Sequence, residues 1–267
     1  MDEHPIITLL TDFGLRDPYV GIMKGIISGI APNAKIIDLT HLIPPQDIRA
    51  GALALDRSCK YFPPGTIHLA VVDPGVGTER HALAMRIDRQ LFIGPDNGLF
   101  TFIIQWGKEN RKQVKAFKIE NPRFRLEPVS PVFHGRDLFA PAAAYLAAGA
   151  ALEDFGPEIT NPFVLSMAVT ERTSSGWVGE IWAVDHFGSL ETNFDNTLLS
   201  GCDPKRARIH IAEKIIDRWV TTFAEGKPGE LVLLIDSADR LCISVVNGSA
   251  AQELGVGVGT PVELLVY

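Results

Sequence analysis

The chain has 267 residues, 46% hydrophobic and 21% charged, with a formal net charge of −7 and a mean hydropathy of +0.13. That length suits two modest domains better than one large one, and the composition excludes disordered and fibrous classes. Acidity without a block of like charges removes the electrostatic basis for gripping a phosphate backbone, so no nucleic acid partner is expected.

In chain order, the apolar, β-branched runs Ile6–Leu10, Ile36–Leu39, Ile67–Val72, Ala82–Ile87 and Leu91–Gly94 are bounded by Gly, Pro and Asp and predict strands. Between them, Tyr19–Ile30 and Asp47–Tyr61 carry apolar residues at three and four spacings, and Leu138–Ala148 is an Ala-rich stretch introduced by Asp137. These predict helices, with Asp137 as a cap. Such alternation points to an α/β domain with a mostly parallel sheet, residues 1–165. Beyond the polar stretch Ala168–Gly176, helical periodicity fades. Short strands at Trp177–Val184, Ala207–Ile211, Leu231–Ile235, Leu241–Val246 and Pro261–Val266 alternate with turn signals such as Gly201, Gly226–Gly229 and Asn247–Gly248. The expectation is a smaller all-β, barrel-like domain over 173–267.

The acidic start MDEHPIITLL does not resemble a signal peptide, and no run of about 18 apolar residues occurs. Cys59, Cys202 and Cys242 are odd in number and widely separated, which argues against disulfides and fits a reducing cytoplasm. His4, His41, His68, His81, His186 and His210 show no metal-binding spacing, so neither a metal nor another cofactor is expected.

Four segments could carry chemistry. Asp12, directly after the first strand, either caps a turn or the following helix, or accepts hydrogen bonds from both hydroxyls of a ribose. Asp73–Arg80 contains G-x-G, but Arg80 stands where a dinucleotide fingerprint needs its third glycine. Asp73 and Arg80 are therefore a turn closed by a surface ion pair or part of a site. His134 lies on the loop before the Ala-rich helix, where a lone histidine is commonly structural. Asp185–Asn193 is either a bulged hairpin or a polar, aromatic binding turn. No G-x-S-x-G elbow is present, and no cysteine sits in a nucleophile motif.

The order of these segments resembles the S-adenosyl-L-methionine hydroxide adenosyltransferase family, relatives of the fluorinase and chlorinase enzymes. The resemblance is nearly full length. It covers TDFG at 11–14, IIDLTHLIPPQDI at 36–48, VVDPGVGTER at 71–80, GPDNGL at 94–99, FHGRD at 133–137, DHFG…TN at 185–193 and VNGSAA at 246–251. It implies hydrolysis of S-adenosyl-L-methionine to adenosine and L-methionine, with Asp73, Arg80 and His134 as the catalytic triad. It also implies Asp12 on the ribose diol, Phe133, Asp185 and Phe187 lining the substrate, Asn247 near the adenine and position 189 near the methionine end. There this chain has Ser189 in place of the usual Asn. Gly135 stands where halogenases resemble one another in having Ser, and their long insertion between Ile87 and Leu91 is missing. The resemblance further implies a homotrimer with sites between subunits. A halogenase and a non-catalytic sensor of S-adenosylmethionine or a nucleoside are the alternatives.

Overall fold

A computed structural model describes residues 4–199 and 206–266, and the chain divides into two compact units, Met1–Leu165 and Ser166–Tyr267. In the first, strands β1 (Ile6–Thr11), β2 (Lys35–Thr40), β3 (Ile67–Val71), β4 (Ala82–Ile87), β5 (Gln90–Pro95) and β6 (Val114–Lys118) form one sheet in the order β2-β1-β3-β5-β4-β6. Strands β1, β2, β3 and β5 pair in parallel, whereas β4 is antiparallel to β5 and to β6. Only three residues separate the apolar parts of β4 and β5. A parallel crossover needs a dozen or more, so a hairpin was the one connection that could fit.

Both faces of this sheet are covered, which is why its strands read as nearly continuous apolar runs. On one face, α1 (Tyr19–Ile30) and α4 (Ala140–Ala147) pack against Ile7, Leu9, Ile67, Leu69 and Val71. The other face, with Leu10, Ala70, Val72 and Phe92, meets α2 (Ile48–Cys59) and α3 (Thr101–Glu109). Helix α1 buries Val20, Met23 and Ile27, a spacing of three then four that keeps one stripe on the core. Asp47 starts α2 by accepting the Ala50 N–H at 2.8 Å. His68, fully buried, bonds Thr8 at 2.8 Å, and burial lowers its pKa to about 4, so it is a neutral core group.

Asp137 does not cap a helix. Residues Gly135–Phe139 form a π-helical turn leading into α4, with His134 at its N-cap and the Ala140 N–H bonded to the Gly135 carbonyl. The Asp137 carboxylate instead accepts the Ser130 N–H at 2.8 Å and two bonds from Arg136 at 2.6 and 2.9 Å. Burial alone would raise its pKa, but these donors hold it below the usual carboxylate value.

The second unit is antiparallel throughout its named strands. Strands β7 (Glu171–Arg172), β8 (Gly176–Val184), β9 (Leu190–Asp195), β10 (Ala207–Ile211), β11 (Lys214–Ile216), β12 (Leu231–Ile235), β13 (Arg240–Val245) and β14 (Pro261–Val266) form a nearly closed, barrel-shaped sheet. Its order is β11-β10-β14-β8-β9-β13-β12, with β7 added beside β8. Ile181, Leu190, Phe194, Ile209, Ile243 and Leu264 fill the interior, and a short helix, α5 (Ala250–Leu254), follows β13. Gly201 and Cys202 lie outside the described residues. No helix among the described residues is long and apolar enough to cross a membrane.

Candidate active site

Asp73 follows the carboxyl end of β3, where the Asn97 side chain anchors the strand by donating to the Val72 carbonyl at 2.8 Å. The chain then makes two tight turns, with Val76 N–H to Asp73 carbonyl at 3.2 Å and Thr78 N–H to Gly75 carbonyl at 3.1 Å. These return Arg80 to Asp73. Arg80 Nε donates to Asp73 Oδ1 at 3.0 Å and Nη2 donates to Asp73 Oδ2, a bidentate pair. The side chains are only 10% and 5% exposed, so this is not the surface ion pair that the turn alone would have made.

Arg80 Nη2 also reaches His134 Nδ1 at 2.7 Å, so the guanidinium joins the two partners from separate loops. The Arg80 guanidinium lies over the Phe139 ring, 5.3 Å from its centroid. His134 and Phe139 are five residues apart. A π-helical turn has roughly one residue more per turn than an α-helix, which brings such a pair onto one side. The positive Arg80 therefore has carboxylate, imidazole and aromatic face around it. Burial first, then the Arg80 charge, lowers the pKa of His134, against the opposing pull of Asp73 and Asp137.

The two loops are keyed together by close approach. Gly77, at φ +78°, leaves no room for a side chain, since a Cβ there would stand 2.4 Å from the Pro131 carbonyl oxygen. Phe133 forms an aromatic group with Phe13 and Tyr19, at centroid distances of 6.1 and 5.2 Å, and the Arg136 guanidinium lies 5.2 Å from its ring centroid. Gly135 is buried beneath them. A Cβ there would lie 3.3 Å from Met23 Sδ and from the Phe13 ring. The sequence had not singled out Phe13, Tyr19, Met23, Pro131 or Phe139. Phe13 lies within the TDFG segment, so adjacency to a candidate carboxylate was the available signal.

Asp12 is half-buried, and its Oδ2 accepts the Gln46 N–H at 2.8 Å. That residue has φ +67°, so Asp12 steadies a strained loop between β2 and α2 and keeps Oδ1 for another donor. In the second unit, Asp185–Ser189 is the turn of the β8–β9 hairpin, with a register shift between Ile181 and Ala183 in β8. Asp185 Oδ1 accepts the N–H groups of Phe187 and Ser189 at 2.9 and 2.8 Å, which is the hairpin reading of the segment. Ser189 is buried, while the Phe187 ring is 76% exposed at the tip. The Gly188 carbonyl accepts the Ala251 N–H at 3.0 Å, so this turn adjoins the exposed Asn247 turn.

Two further features lie apart from these residues. A cavity of about 390 Å³ in the first unit is lined by Phe62, Phe92, Ile103 and Trp106 among others, and no candidate site residue lines it. Among the described residues, no group of three or more His, Cys, Asp or Glu side chains could hold a metal ion.

A mixed α/β unit with a part-buried Asp–Arg–His group after a strand end, followed in the chain by an antiparallel barrel-like unit, belongs to the class of α/β proteins whose strand ends offer a place for a small molecule. The chain belongs to the SAM hydroxide adenosyltransferase family, matching its N-terminal domain over residues 7–156 and its C-terminal domain over 179–263. It is 41% identical over 271 residues to the (R)-S-adenosyl-L-methionine hydrolase of Thermus thermophilus, covering 97% of this chain and 99% of that one. The Salinispora tropica protein of the same name is 37% identical, with 97% of each chain covered. A fluorinase from an Actinoplanes species is 28% identical, covering 90% of this chain and 91% of that one. Among solved structures, an uncharacterized conserved protein from Thermotoga maritima aligns with TM-score 0.89 and 37% identity, covering 97% of this chain and 99% of that one.

Proposed function

We propose that this protein hydrolyses S-adenosyl-L-methionine to adenosine and L-methionine by attack of water on the ribose 5′-carbon. The observation that carries the reading is the part-buried bridge from Asp73 through Arg80 to His134 at the end of β3. A sulfonium leaves as a neutral thioether and needs no general acid; what water lacks is an aimed nucleophile and a place for its proton. The triad supplies both. Attack by an oxygen carrying developing negative charge on a cation cancels charge, which an aromatic wall of Phe13, Tyr19 and Phe133 favours over separated ions.

Asp12 Oδ1 is the ribose acceptor in this reading, and Phe187, Asp185, Ser189 and Asn247 on the paired turns of the second unit take the adenine and methionine ends. The assembly is a homotrimer with sites at subunit interfaces. Exposed Leu15, Leu42 and Val132, close in sequence to the site loops, are apolar surface that such an assembly would cover. Free Cys59 and Cys242, with thiol pKa values pushed up to about 12 by burial, suit a reducing cytoplasm.

Purified protein incubated with S-adenosylmethionine, with and without molar chloride, should release adenosine and methionine in equal amounts, unaffected by a chelator. A chlorinated nucleoside at a level comparable to adenosine would replace the hydrolase with a halogenase. No product at all would leave a binder. Asp12→Ala should weaken substrate binding by roughly 1–3 kcal/mol, since buried ribose hydroxyls lose an acceptor. Asp12→Asn, which keeps an acceptor oxygen, should lose less. Calorimetric titration showing unchanged affinity for Asp12→Ala would remove this residue from the ribose site.

A further inference from the structure

A guanidinium has five N–H donors and no acceptor. Because Arg80 Nη2 stands 2.7 Å from His134 Nδ1, that nitrogen must offer its lone pair. A proton on Nδ1 would set N–H against N–H beside a permanent cation. The groups acting on the ring are Arg80, which with burial disfavours a second proton, and Asp73 and Asp137, which favour one; the balance lies below the ordinary histidine value. The ring is therefore neutral near pH 7 and its single proton is on Nε2.

Among the three side chains, Arg80 accepts nothing, His134 Nδ1 is occupied and His134 Nε2 carries hydrogen. Asp73 accepts one bond from Arg80 on each oxygen, and each oxygen retains a second lone pair. We propose that His134 serves as an Nε2–H donor to the attacking oxygen, its tautomer set by Arg80, and that Asp73 receives the water's proton. This rests on the hydrolysis proposed above. One water lone pair forms the O–C5′ bond while the C5′–S pair departs with sulfur as the methionine thioether. The second lone pair accepts from His134. One O–H points to Asp73, which takes that proton and passes it to bulk water, so substrate cation plus water gives adenosine, methionine and one proton.

The tautomer can be read without substrate, by long-range ¹H–¹⁵N correlation on protein labelled with ¹⁵N-histidine, using His134→Gln to identify the signals that vanish. The expected pattern is a single protonated Nε2 and a bare Nδ1. Turnover then tests the role, because a Gln amide reaches the Nε2 position and an Asn oxygen the Nδ1 position. His134→Gln should keep roughly a tenth or more of wild-type kcat, while His134→Asn and His134→Ala fall on the order of a hundredfold. Activity of the wild type should also decline as pH falls through the lowered His134 pKa, because the second proton faces Arg80. An Nδ1–H tautomer, or a Gln variant no better than the Asn and Ala variants, overturns the proposal. Wild-type protein with the Nε2–H tautomer that makes no adenosine would instead sink the hydrolysis reading.

Discussion

Asp73→Asn should lower kcat on the order of a hundredfold or more while the protein still binds S-adenosylmethionine. Two losses act together. The amide can accept the bond from Arg80 Nε or Nη2 on one side only, since its nitrogen end opposes the other donor, and it no longer offers a carboxylate for the departing proton. Proton transfer by a positioned group typically contributes 10²–10⁴-fold. Breaking a buried pair also costs stability, about 3–5 kcal/mol where the remaining charge is uncompensated, so a thermal melt must accompany the rate. Single-turnover measurement at saturating substrate separates the outcomes. A folded variant whose loss lies wholly in KM would make Asp73 a binding residue and leave the water without an acceptor.

The same protonation balance gives stability a pH dependence. His134 has a lowered pKa in the folded chain, so between its unfolded value of about 6.5 and the lower folded value the unfolded state binds more protons. The contribution of the neutral ring is present above that window and is lost as pH falls through it. Asp137 acts in the same direction at lower pH, since its folded pKa is also depressed.

Much of the first unit was legible because burial on both sheet faces leaves apolar runs that Gly, Pro and Asp punctuate, and α1 was bounded to the residue at Tyr19–Ile30. Strand β9 was not. Between its core residues Leu190 and Phe194 it buries Glu191, Thr192 and Asn193, a polar run that hides the strand in the sequence, and hydrogen bonds such as Thr192 Oγ1 to the Leu241 carbonyl at 2.7 Å satisfy polar groups there. Helix α3 was missed too: Phe102, Ile103 and Ile104 are consecutive and buried, a run that blurs the period of an amphipathic helix. At the site, Asp73, Arg80 and His134 were picked out by resemblance, whereas the devices that bring them together have no local pattern. The π-helical turn reads as the start of α4. The contact of Gly77 with Pro131 joins residues 54 positions apart, and periodicity carries no trace of it.

That contact makes Gly77→Ala a disruptive substitution despite its small size. Alanine at φ +78° costs on the order of 1 kcal/mol by backbone strain alone. Its methyl would also stand 2.4 Å from the Pro131 carbonyl oxygen, which is backbone and cannot rotate aside. Either the Asp73–Arg80 loop lifts or the Pro131–His134 loop retreats, and both movements lengthen the 2.7 Å bond from Arg80 to His134. A displacement of about 1 Å in a reacting constellation can cost on the order of a hundredfold in rate. Gly75→Ala is the matched control. It lies in the same loop without a positive φ, and its Cβ would meet Thr78 Oγ1 and Arg80 Cγ at 3.4 and 3.5 Å, ordinary contact distances. Gly77→Ala should therefore reduce kcat about a hundredfold and shift the acid limb of the pH profile toward the ordinary histidine value, because His134 moves away from the Arg80 charge. Gly75→Ala should stay within a few-fold of the parent in both. Equal losses in the two variants, or full activity in Gly77→Ala, would show that the register of these loops does not govern the chemistry.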